Sequence, residues 1–371
     1  MIKMNFPQDS NIRKAMEKRF FQSLRGNMDE AAINLALNGL LYKGVNLDLK
    51  TILVAPFDDL MEIAETVKRG FAANAVGLAT LYSYFNYEDQ RNLLYDFFIA
   101  EDIQGNIDLC TCHYCNIDFI NVYDSNGGYL NKVHFLNTAP IETLNLIPGI
   151  KSATSQRIIA ERGLRPIKNL SLSFLTPAKR TSILTYKLKQ DRGIFTLDHF
   201  YPQYLGDILV TSLYNLIPSC APCNSRFKHM SDFQVGKNTT YLSPTSQNYV
   251  VQEFLVFGLL LRPGKNVGNI KSVNDIELIY ENYIFGQEEF LEIFSIPGRY
   301  SFHKKEAVKL ILKFQRYPES YIDEIEKSLK YSVDRLTIMK DLFGADIFED
   351  NSNNQPLAKL RKDIAVQIGL I

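Results

Sequence analysis

The sequence predicts an α+β fold, mostly helical, with a small cysteine-containing core. Apolar residues recur at three- and four-residue spacing over most of residues 1–105 and 246–371, which is the periodicity of amphipathic helices. Between these regions, around 106–131 and 193–223, short apolar runs alternate with Cys-x-x-Cys pairs and turn residues, a pattern typical of short strands. We therefore predict a helical N-terminal region (1–105), a central domain (106–245) and a helical C-terminal region (246–371).

The composition is that of an ordinary globular chain with a sizeable core: 371 residues, of which 46% are hydrophobic and 22% charged. No run of about eighteen apolar residues could span a bilayer, and the N-terminus lacks the apolar core of a signal peptide. We therefore expect a cytoplasmic protein with no membrane partner. In a reducing compartment, closely spaced cysteines indicate metal or redox chemistry rather than disulfides.

Charge is balanced overall, with 41 basic and 41 acidic residues, but it is unevenly distributed. The segment from Lys151 to Arg192 has ten basic residues and two acidic ones, a net charge of +8. Such a segment attracts phosphate groups at short range. The alternative is a solvated helical surface, so the interpretation depends on the motifs beside it.

Four of the five cysteines form two Cys-x-x-Cys pairs: Cys112 with Cys115, and Cys220 with Cys223. Together they offer the four thiolates that a tetrahedral structural Zn²⁺ requires. The separation of just over a hundred residues is long for a zinc ribbon, so a redox pair and inert buried thiols are alternatives. We favour zinc because the two pairs have the same spacing. Cys110 is expected in the core, although it could replace Cys112, and His113 is a minor candidate ligand.

Polar side chains with a different chemistry surround the second cysteine pair. Asp198 and His199 end a predicted strand, and Asn224 directly follows Cys223. Histidine suits a general base near neutral pH, and a carboxylate with an amide oxygen suits Mg²⁺. Phosphodiester hydrolysis needs such a base and such a cation. Adjacent strand residues point to opposite faces, so Asp198 and His199 converge only if the strand ends there, as Pro202 indicates. The alternative is a core histidine paired with its neighbouring Asp.

These residues resemble the HNH nuclease family. The segments "LDHFYPQ" and "YNLIPSCAPCNSRFK", with the upstream "CHYC", are similar to its ββα-metal fold, which has an Asp-His or His-His pair on the first strand. The family has an Asn in the connecting loop and an Asn or His on the helix. The resemblance implies that Asp198 and Asn224 bind a catalytic Mg²⁺ or Mn²⁺, that His199 is the general base, and that Asn215 orients His199 by a hydrogen bond. It makes the four cysteines the structural Zn²⁺ site of a zinc-binding variant.

Two features depart from the family pattern. The family often has a Lys three residues after the final Asn, where this chain has Phe227 between Arg226 and Lys228. Arg226 and Lys228 are therefore both candidate phosphate contacts. The second departure is the long stretch between the first cysteine pair and Asp198, which we interpret as an insertion.

The insertion, at about 136–173, resembles the helix-hairpin-helix module of DNA-uptake competence proteins. The resemblance covers "LNTAPIETLNLIPGIKSATSQRIIAERG" and implies a hairpin at the Pro-Gly pair and a second helix that begins at Ser152 or Thr154. Free N–H groups at such a helix start can hold a phosphate. Gly149, Lys151, Ser152 and Arg157 are therefore the expected DNA contacts, which read the backbone and not the bases. The family usually has a second Gly where this chain has Lys151. The alternative is a small helical packing unit.

The expected function is a metal-dependent DNA endonuclease with little intrinsic sequence preference, whose products carry 5′-phosphate and 3′-hydroxyl ends as the resemblance implies. One alternative is a non-catalytic, zinc-containing DNA-binding module, which would not need Asp198, His199 and Asn224 together. The other is an RNA-cutting toxin nuclease, which differs only in its substrate. The tail is similar to C-terminal regions of some bacterial HNH nucleases encoded beside anti-phage genes. A role in anti-phage defence and a protein partner bound by the helical ends are therefore further expectations.

Overall fold

The computed structural model describes residues 2–100, 103, 107, 109–124, 129–186, 191–205, 207–229, 231, 233, 239–282, 287–329, 332–349 and 355–371. Over these residues the chain is mostly helical and has four antiparallel sheets of two strands each, which agrees with the predicted α+β class. None of the helices in this described part is both long enough and apolar enough to cross a membrane.

Two compact units make up the chain. The main unit combines Met1–Asn121 with Ile194–Ile371, and the insert unit is Val122–Gly193. The insertion predicted at 136–173 lies inside the insert unit. The predicted boundaries near residues 105 and 245 both fall within the main unit, so this division does not follow the three predicted domains.

Helices dominate the N-terminal part of the main unit. The elements are α1 Ser10–Arg25, α2 Glu30–Leu37, β1 Leu41–Tyr42, β2 Val45–Asn46, α3 Leu49–Val54, α4 Phe57–Gly70, α5 Ala75–Ser83 and α6 Tyr87–Phe98. Side-chain caps begin several of them: Asp9, Asp29, Asp48 and Asn86 each accept backbone N–H groups. Helix α4 begins directly after Pro56 and has two aspartates in its first turn, where they interact favourably with the positive end of the helix dipole.

The insert unit has its own apolar core. Its elements are β3 Val122–Asp124, α7 Lys132–Thr138, α8 Ile141–Leu144, α9 Ser152–Leu164, α10 Pro177–Thr185 and β4 Asp191–Gly193, with β3 antiparallel to β4. The turn between α8 and α9 contains Gly149 at φ +78°, a conformation that favours glycine. The Asn137 side chain donates to the Ile167 carbonyl at 2.8 Å and accepts the Ile167 N–H at 2.8 Å, which joins α7 to the loop after α9.

The central part of the main unit is a strand pair followed by a short helix. Strand β5 Thr196–His199 pairs antiparallel with β6 Leu216–Ser219, which places Asp198 opposite Ile217 and His199 opposite Leu216. Three turns of 3₁₀ helix, Gln203–Leu205, Asp207–Thr211 and Leu213–Asn215, connect the two strands. The helix α11 Pro222–Lys228 follows β6 and ends with an i→i+5 hydrogen bond from the His229 N–H to the Asn224 carbonyl, 2.9 Å.

The C-terminal part completes the main unit. Its elements are α12 Thr239–Leu242, α13 Val251–Phe254, β7 Leu255–Leu261, β8 Ile276–Asn282, α14 Gln287–Ile293, α15 Ile296–Ser301, α16 Lys304–Arg316, α17 Glu319–Ser328, α18 Arg335–Phe343, α19 Ala345–Phe348 and α20 Ala358–Gln367. The prediction of a helical region misses the β7–β8 hairpin. The apolar run of β7, "LVFGLLL", has no clear period, and periodicity alone does not separate a buried strand from a buried helix.

Tertiary contacts with α20 stabilise β7 as a strand. Asp363 accepts the Phe257 N–H at 2.9 Å. Gln367 accepts the Leu259 N–H at 2.7 Å and donates to the Leu259 carbonyl at 3.1 Å. Helix side chains thus satisfy backbone groups that an edge strand would leave without partners.

Candidate metal centre and adjoining cleft

The two cysteine pairs meet in the main unit. The Sγ atoms of Cys112, Cys115, Cys220 and Cys223 all lie within 4.8 Å of one another, and all four side chains are buried. The sulfurs of Cys115 and Cys220 are 3.9 Å apart. Zn–S bonds of about 2.3 Å in a tetrahedron give sulfur separations of about 3.8 Å. The cluster could therefore hold a metal ion such as zinc, as the sequence predicts.

Backbone turns present these sulfurs and also donate to them. The Ile117 N–H donates to Cys115 Sγ at 3.4 Å, and the Cys220 N–H donates to Cys112 Sγ at 3.3 Å. Hydrogen bonds from Cys112 and Cys115 raise the pKa of the Cys220 thiol, which therefore keeps a proton when no metal is bound. A divalent metal would replace such protons, so its affinity should rise with pH. Because the unfolded chain has no such site, metal binding would stabilise the folded cluster.

Arg299 connects the C-terminal part of the main unit to the cluster. Its Nη1 donates to Cys223 Sγ at 3.2 Å, and its Nη2 lies 3.3 Å from Asp118 Oδ2. The guanidinium also lies over the Phe227 ring, 4.7 Å from the centroid. Four thiolates around one dication leave a net negative charge, which the Arg299 cation partly balances.

Two other candidate ligands lie apart from the sulfur group. Cys110 is half-buried and does not belong to the four-cysteine group. His113 is fully buried, and its Nδ1 lies 3.1 Å from the Ile2 carbonyl oxygen. Burial lowers the pKa of His113 to about 4, so its ring is neutral at physiological pH. The candidate metal ligands are therefore the four cysteines that include Cys112, and neither Cys110 nor His113 belongs to this group.

A cleft of about 480 Å³ opens where β5 ends and α11 begins. Asp198, His199 and Asn224 line it together, so the structure brings these three predicted residues to one place. Asn224 is half-buried, and its Nδ2 donates to the Leu197 carbonyl at 3.5 Å, which leaves its amide oxygen as an acceptor.

A backbone carbonyl holds the His199 ring. Its Nε2 lies 2.9 Å from the Val210 carbonyl oxygen. A carbonyl can only accept, so Nε2 carries the proton and Nδ1 keeps its lone pair. Burial lowers the pKa of His199, while Asp198 and the Val210 hydrogen bond oppose that shift. The ring therefore favours the neutral form, and Tyr87 packs edge-on against it with centroids 4.7 Å apart.

The Asn215 side chain makes its hydrogen bonds to the loop backbone and none to His199, so the predicted hydrogen bond between them is absent. The buried Asn215 side chain donates to the carbonyls of Tyr201 at 3.1 Å and Leu209 at 3.0 Å, and it accepts the Tyr201 N–H at 2.8 Å. Both the oxygen and the nitrogen of the Asn215 side-chain amide are therefore bonded to the loop backbone. Asn215 supports His199 only indirectly. It donates to the carbonyl of Leu209, and the next residue, Val210, has the carbonyl that orients the His199 ring.

Lys228 lies beneath the cleft and not on an exposed surface. Only 1% of the residue is exposed. Its Nζ lies 3.2 Å from Asp198 Oδ1, 3.1 Å from Asp198 Oδ2 and 2.7 Å from the His199 carbonyl oxygen. An ammonium group has three N–H donors, and these acceptors account for them. Lys228 lines the cleft and Arg226 is exposed, and the phosphate contact of each stays a prediction.

Tyr114, which lies between Cys112 and Cys115, is a site residue that the sequence analysis missed. It is fully buried and donates its hydroxyl to Asp198 Oδ2 at 2.5 Å, and its ring stacks on Phe294 with centroids 4.5 Å apart. Burial raises the pKa of Tyr114, which keeps its proton as a donor. Tyr114 comes from the first cysteine pair and Lys228 from the helix of the second. Both arms of the cluster therefore contact the same carboxylate.

The predicted DNA contacts of the insert unit are on its surface. Gly149, Lys151, Ser152 and Arg157 are all exposed, and the Arg157 guanidinium lies over the Phe174 ring, 4.6 Å from the centroid. The Lys179 ammonium donates to Thr154 Oγ1 at 2.8 Å, which adds positive charge beside the first turn of α9. Lys187 and Lys189, part of the basic segment, lie outside the described residues.

Compared with protein-family models, with curated proteins and with solved structures, the chain gives no match. The functional assignment therefore depends on the geometry and chemistry of the residues themselves. The HNH resemblance of residues 197–228 stays a prediction.

Proposed function

We propose that the main unit is an HNH-type endonuclease that hydrolyses phosphodiester bonds in DNA with the help of a divalent cation. The observation that carries this proposal is the meeting of Asp198, His199 and Asn224 in one cleft beside a four-cysteine cluster. The order of β5, β6 and α11, which is strand, strand and helix, is the one that the ββα-metal fold requires.

His199 acts as the general base. Its neutral ring, with Nε2–H on the Val210 carbonyl, takes a proton at Nδ1 from the attacking water. The water oxygen forms a bond to phosphorus, and the bond from phosphorus to the 3′ oxygen breaks. The 3′ oxygen leaves with the bonding electron pair and takes a proton from solvent. Products with 5′-phosphate and 3′-hydroxyl ends follow from that direction of attack. Tyr87 and the Val210 carbonyl restrict the ring to one orientation, which lowers the entropic cost of the reaction.

Asp198 and Asn224 fit a hard divalent cation, because they offer one carboxylate and one amide oxygen at the cleft. When bound, Mg²⁺ or Mn²⁺ would neutralise negative charge that develops on the phosphate. Lys228 already pairs with Asp198 at 3.1 Å. We therefore expect the site to bind cations more weakly than a site whose carboxylates have no such partner.

The insert unit would hold DNA through its backbone. The Gly149 turn and the exposed start of α9 offer N–H groups, and Lys151 and Arg157 offer charge. Such contacts follow the phosphates and read no base sequence, which agrees with the expected low specificity.

The proposal is tested by incubating the purified protein with supercoiled plasmid, linear duplex, single-stranded DNA and RNA, each with Mg²⁺, Mn²⁺ or a chelator. We expect cleavage with either cation and none with the chelator. His199→Ala should lower the rate by at least about 100-fold, the contribution typical of a general base, with unchanged folding. His303→Ala, a histidine at the start of α16, is the matched control. Plasmid nicking by His199→Ala at the wild-type rate would count against the assignment.

A second candidate is a non-catalytic DNA-binding module, and one observation favours it. Asp198 is only 4% exposed and already pairs with Lys228 and Tyr114, which a purely structural carboxylate would also do. Mn²⁺ titration followed by electron paramagnetic resonance separates the two candidates. The nuclease requires a Mn²⁺ signal that Asn224→Ala weakens, and the binding module requires none. The RNA arm of the substrate panel decides between DNA and RNA.

A further inference from the structure

A second depression of about 380 Å³ adjoins the cleft beside His199. Gln203 and Asp207 line both depressions, so the two share one wall. The other walls come from the C-terminal half of α5 and the turn that follows it. We call the second depression the side groove; it is lined by Ala79, Tyr82, Ser83, Phe85, Asn86, Gln203 and Asp207.

The side groove combines aromatic surface with hydrogen-bonding groups of both kinds. Phe85 is buried and Tyr82 half-buried, so rings form part of its walls. Asn86 Oδ1 accepts the Glu88 N–H at 3.1 Å, which leaves the Nδ2 group as a donor. Ser83 Oγ donates to the Thr80 carbonyl at 2.7 Å, which leaves its oxygen as an acceptor. A flat heterocycle with donors and acceptors on its edge suits such walls.

The charge of the side groove limits what it can bind. Asp207 lies at the junction of the cleft and the side groove, where burial raises the pKa of its carboxyl while Gln203 and the charge of Lys68 oppose that shift. A carboxylate repels phosphate but accepts hydrogen bonds from the exocyclic amino groups of cytosine, adenine and guanine. Thymine and uracil have no such amino group. Asp207 therefore favours a base over a phosphate, and an amino-bearing base over thymine.

We propose that the side groove binds one unpaired nucleobase of the substrate strand, beside the phosphodiester bond that is cut, and that Asp207 selects bases that carry an amino group. The position of this base relative to the cut rests on the proposed nuclease function, whereas the binding itself does not. In a duplex the Watson–Crick edges are paired and stacked. The substrate is therefore single-stranded or locally unpaired at this position.

The test measures binding without cleavage. His199→Ala protein is titrated against two fluorescein-labelled hexanucleotides, (dC)₆ and (dT)₆, and fluorescence anisotropy gives each dissociation constant. We expect (dC)₆ to bind about tenfold more tightly, the effect of one good contact to a base edge. Adding Asp207→Ala should remove most of that difference, and adding Asn86→Ala should weaken binding of (dC)₆. Asp96→Ala, an exposed acid further along α6, is the charge-matched control and should leave the ratio unchanged.

Equal affinities for the two oligonucleotides, or a preference for (dC)₆ that survives Asp207→Ala, would overturn the proposal. If Asp207→Ala unfolds, as judged by circular dichroism, the Asn86→Ala titration decides in its place. Should the wild-type protein cut none of the nucleic acids in the substrate panel and the cytosine preference still be lost with Asp207, the nuclease proposal fails while the base site stands. The two failures are thus distinguishable.

Discussion

The cysteine centre of the main unit and the α8–α9 hairpin of the insert unit are both expected to act on nucleic acid, but they are built differently. At the cysteine centre the polar and charged groups face one another inside the protein: the Lys228 ammonium and the neutral Tyr114 hydroxyl both contact Asp198. In the insert unit the charged groups Lys151 and Arg157 face solvent, and the core beneath them is apolar, with residues such as Ile147 and Ile158.

Because of this difference, substitutions in the two regions should have different effects on stability and on affinity. A buried polar centre loses stability when one partner is removed, because the other is left buried without its hydrogen bond or counter-charge. An exposed basic surface loses affinity but little stability, because water replaces the missing partner. The variants below use this contrast, in order of decreasing effect.

The largest effect is expected from loss of a sulfur ligand. Cys220→Ser should abolish zinc binding and unfold the main unit, because the binding free energy of structural zinc is on the order of 10 kcal/mol and contributes to folding. Zinc content by atomic emission and backbone amide spectra by NMR measure this, and the signals of the insert unit should persist. Cys110→Ser, outside the four-sulfur group, should keep the metal. Full zinc content in Cys220→Ser would show that these sulfurs are not the ligand set.

Removing Lys228 should have the next largest effect. Lys228→Met leaves the Asp198 charge buried with no counter-charge, and breaking such a buried pair costs about 3–5 kcal/mol. Urea unfolding measures the loss of free energy. Lys305→Met, at an exposed position, is the control and should change stability by less than about 0.5 kcal/mol. Equal stabilities of the two variants would contradict the stabilising ion pair between Lys228 and the buried Asp198.

Tyr114→Phe should have a smaller but measurable effect. It removes one charge-assisted hydrogen bond to Asp198 while the ring keeps its stacking on Phe294, so we expect a loss of about 1–3 kcal/mol. Zinc content should not change, because the cysteines remain. Tyr280→Phe is the comparison, because it removes the hydroxyl of an exposed tyrosine. A loss of zinc in Tyr114→Phe would mean that the tyrosine supports the metal and not the carboxylate.

The smallest effect on stability is expected in the insert unit. Lys151→Ala should leave the unfolding free energy within about 0.5 kcal/mol of the wild-type value. It should weaken DNA binding for all sequences alike and reduce the slope of log affinity against log salt by about 1, since one phosphate contact is lost. Anisotropy titrations with two unrelated duplexes across a salt series measure both quantities. An unchanged slope would leave the hairpin as a packing unit only.

Site residues whose positions depend on local geometry could be predicted from the sequence alone. The two residues between the cysteines of a Cys-x-x-Cys pair form a turn that brings both sulfurs to one side, so the four cysteines were predictable from spacing. Asn224 is the chain neighbour of Cys223, so it must lie close to the cysteine cluster. The positive φ of Gly149 likewise belongs to a Pro-Gly turn that is visible in the sequence.

The long-range hydrogen-bond and ion-pair partners of these residues are visible only in the tertiary structure. Tyr114 and Asp198 are 84 positions apart, and Phe257 and Asp363 are 106 apart, so no periodic pattern connects them. The burial of Lys228 under the cleft and the attachment of Asn215 to the loop backbone also depend on how β5, β6 and α11 pack. Hydrogen bonds and ion pairs between distant segments form only when the chain has folded, and a single sequence does not record which donor will meet which acceptor.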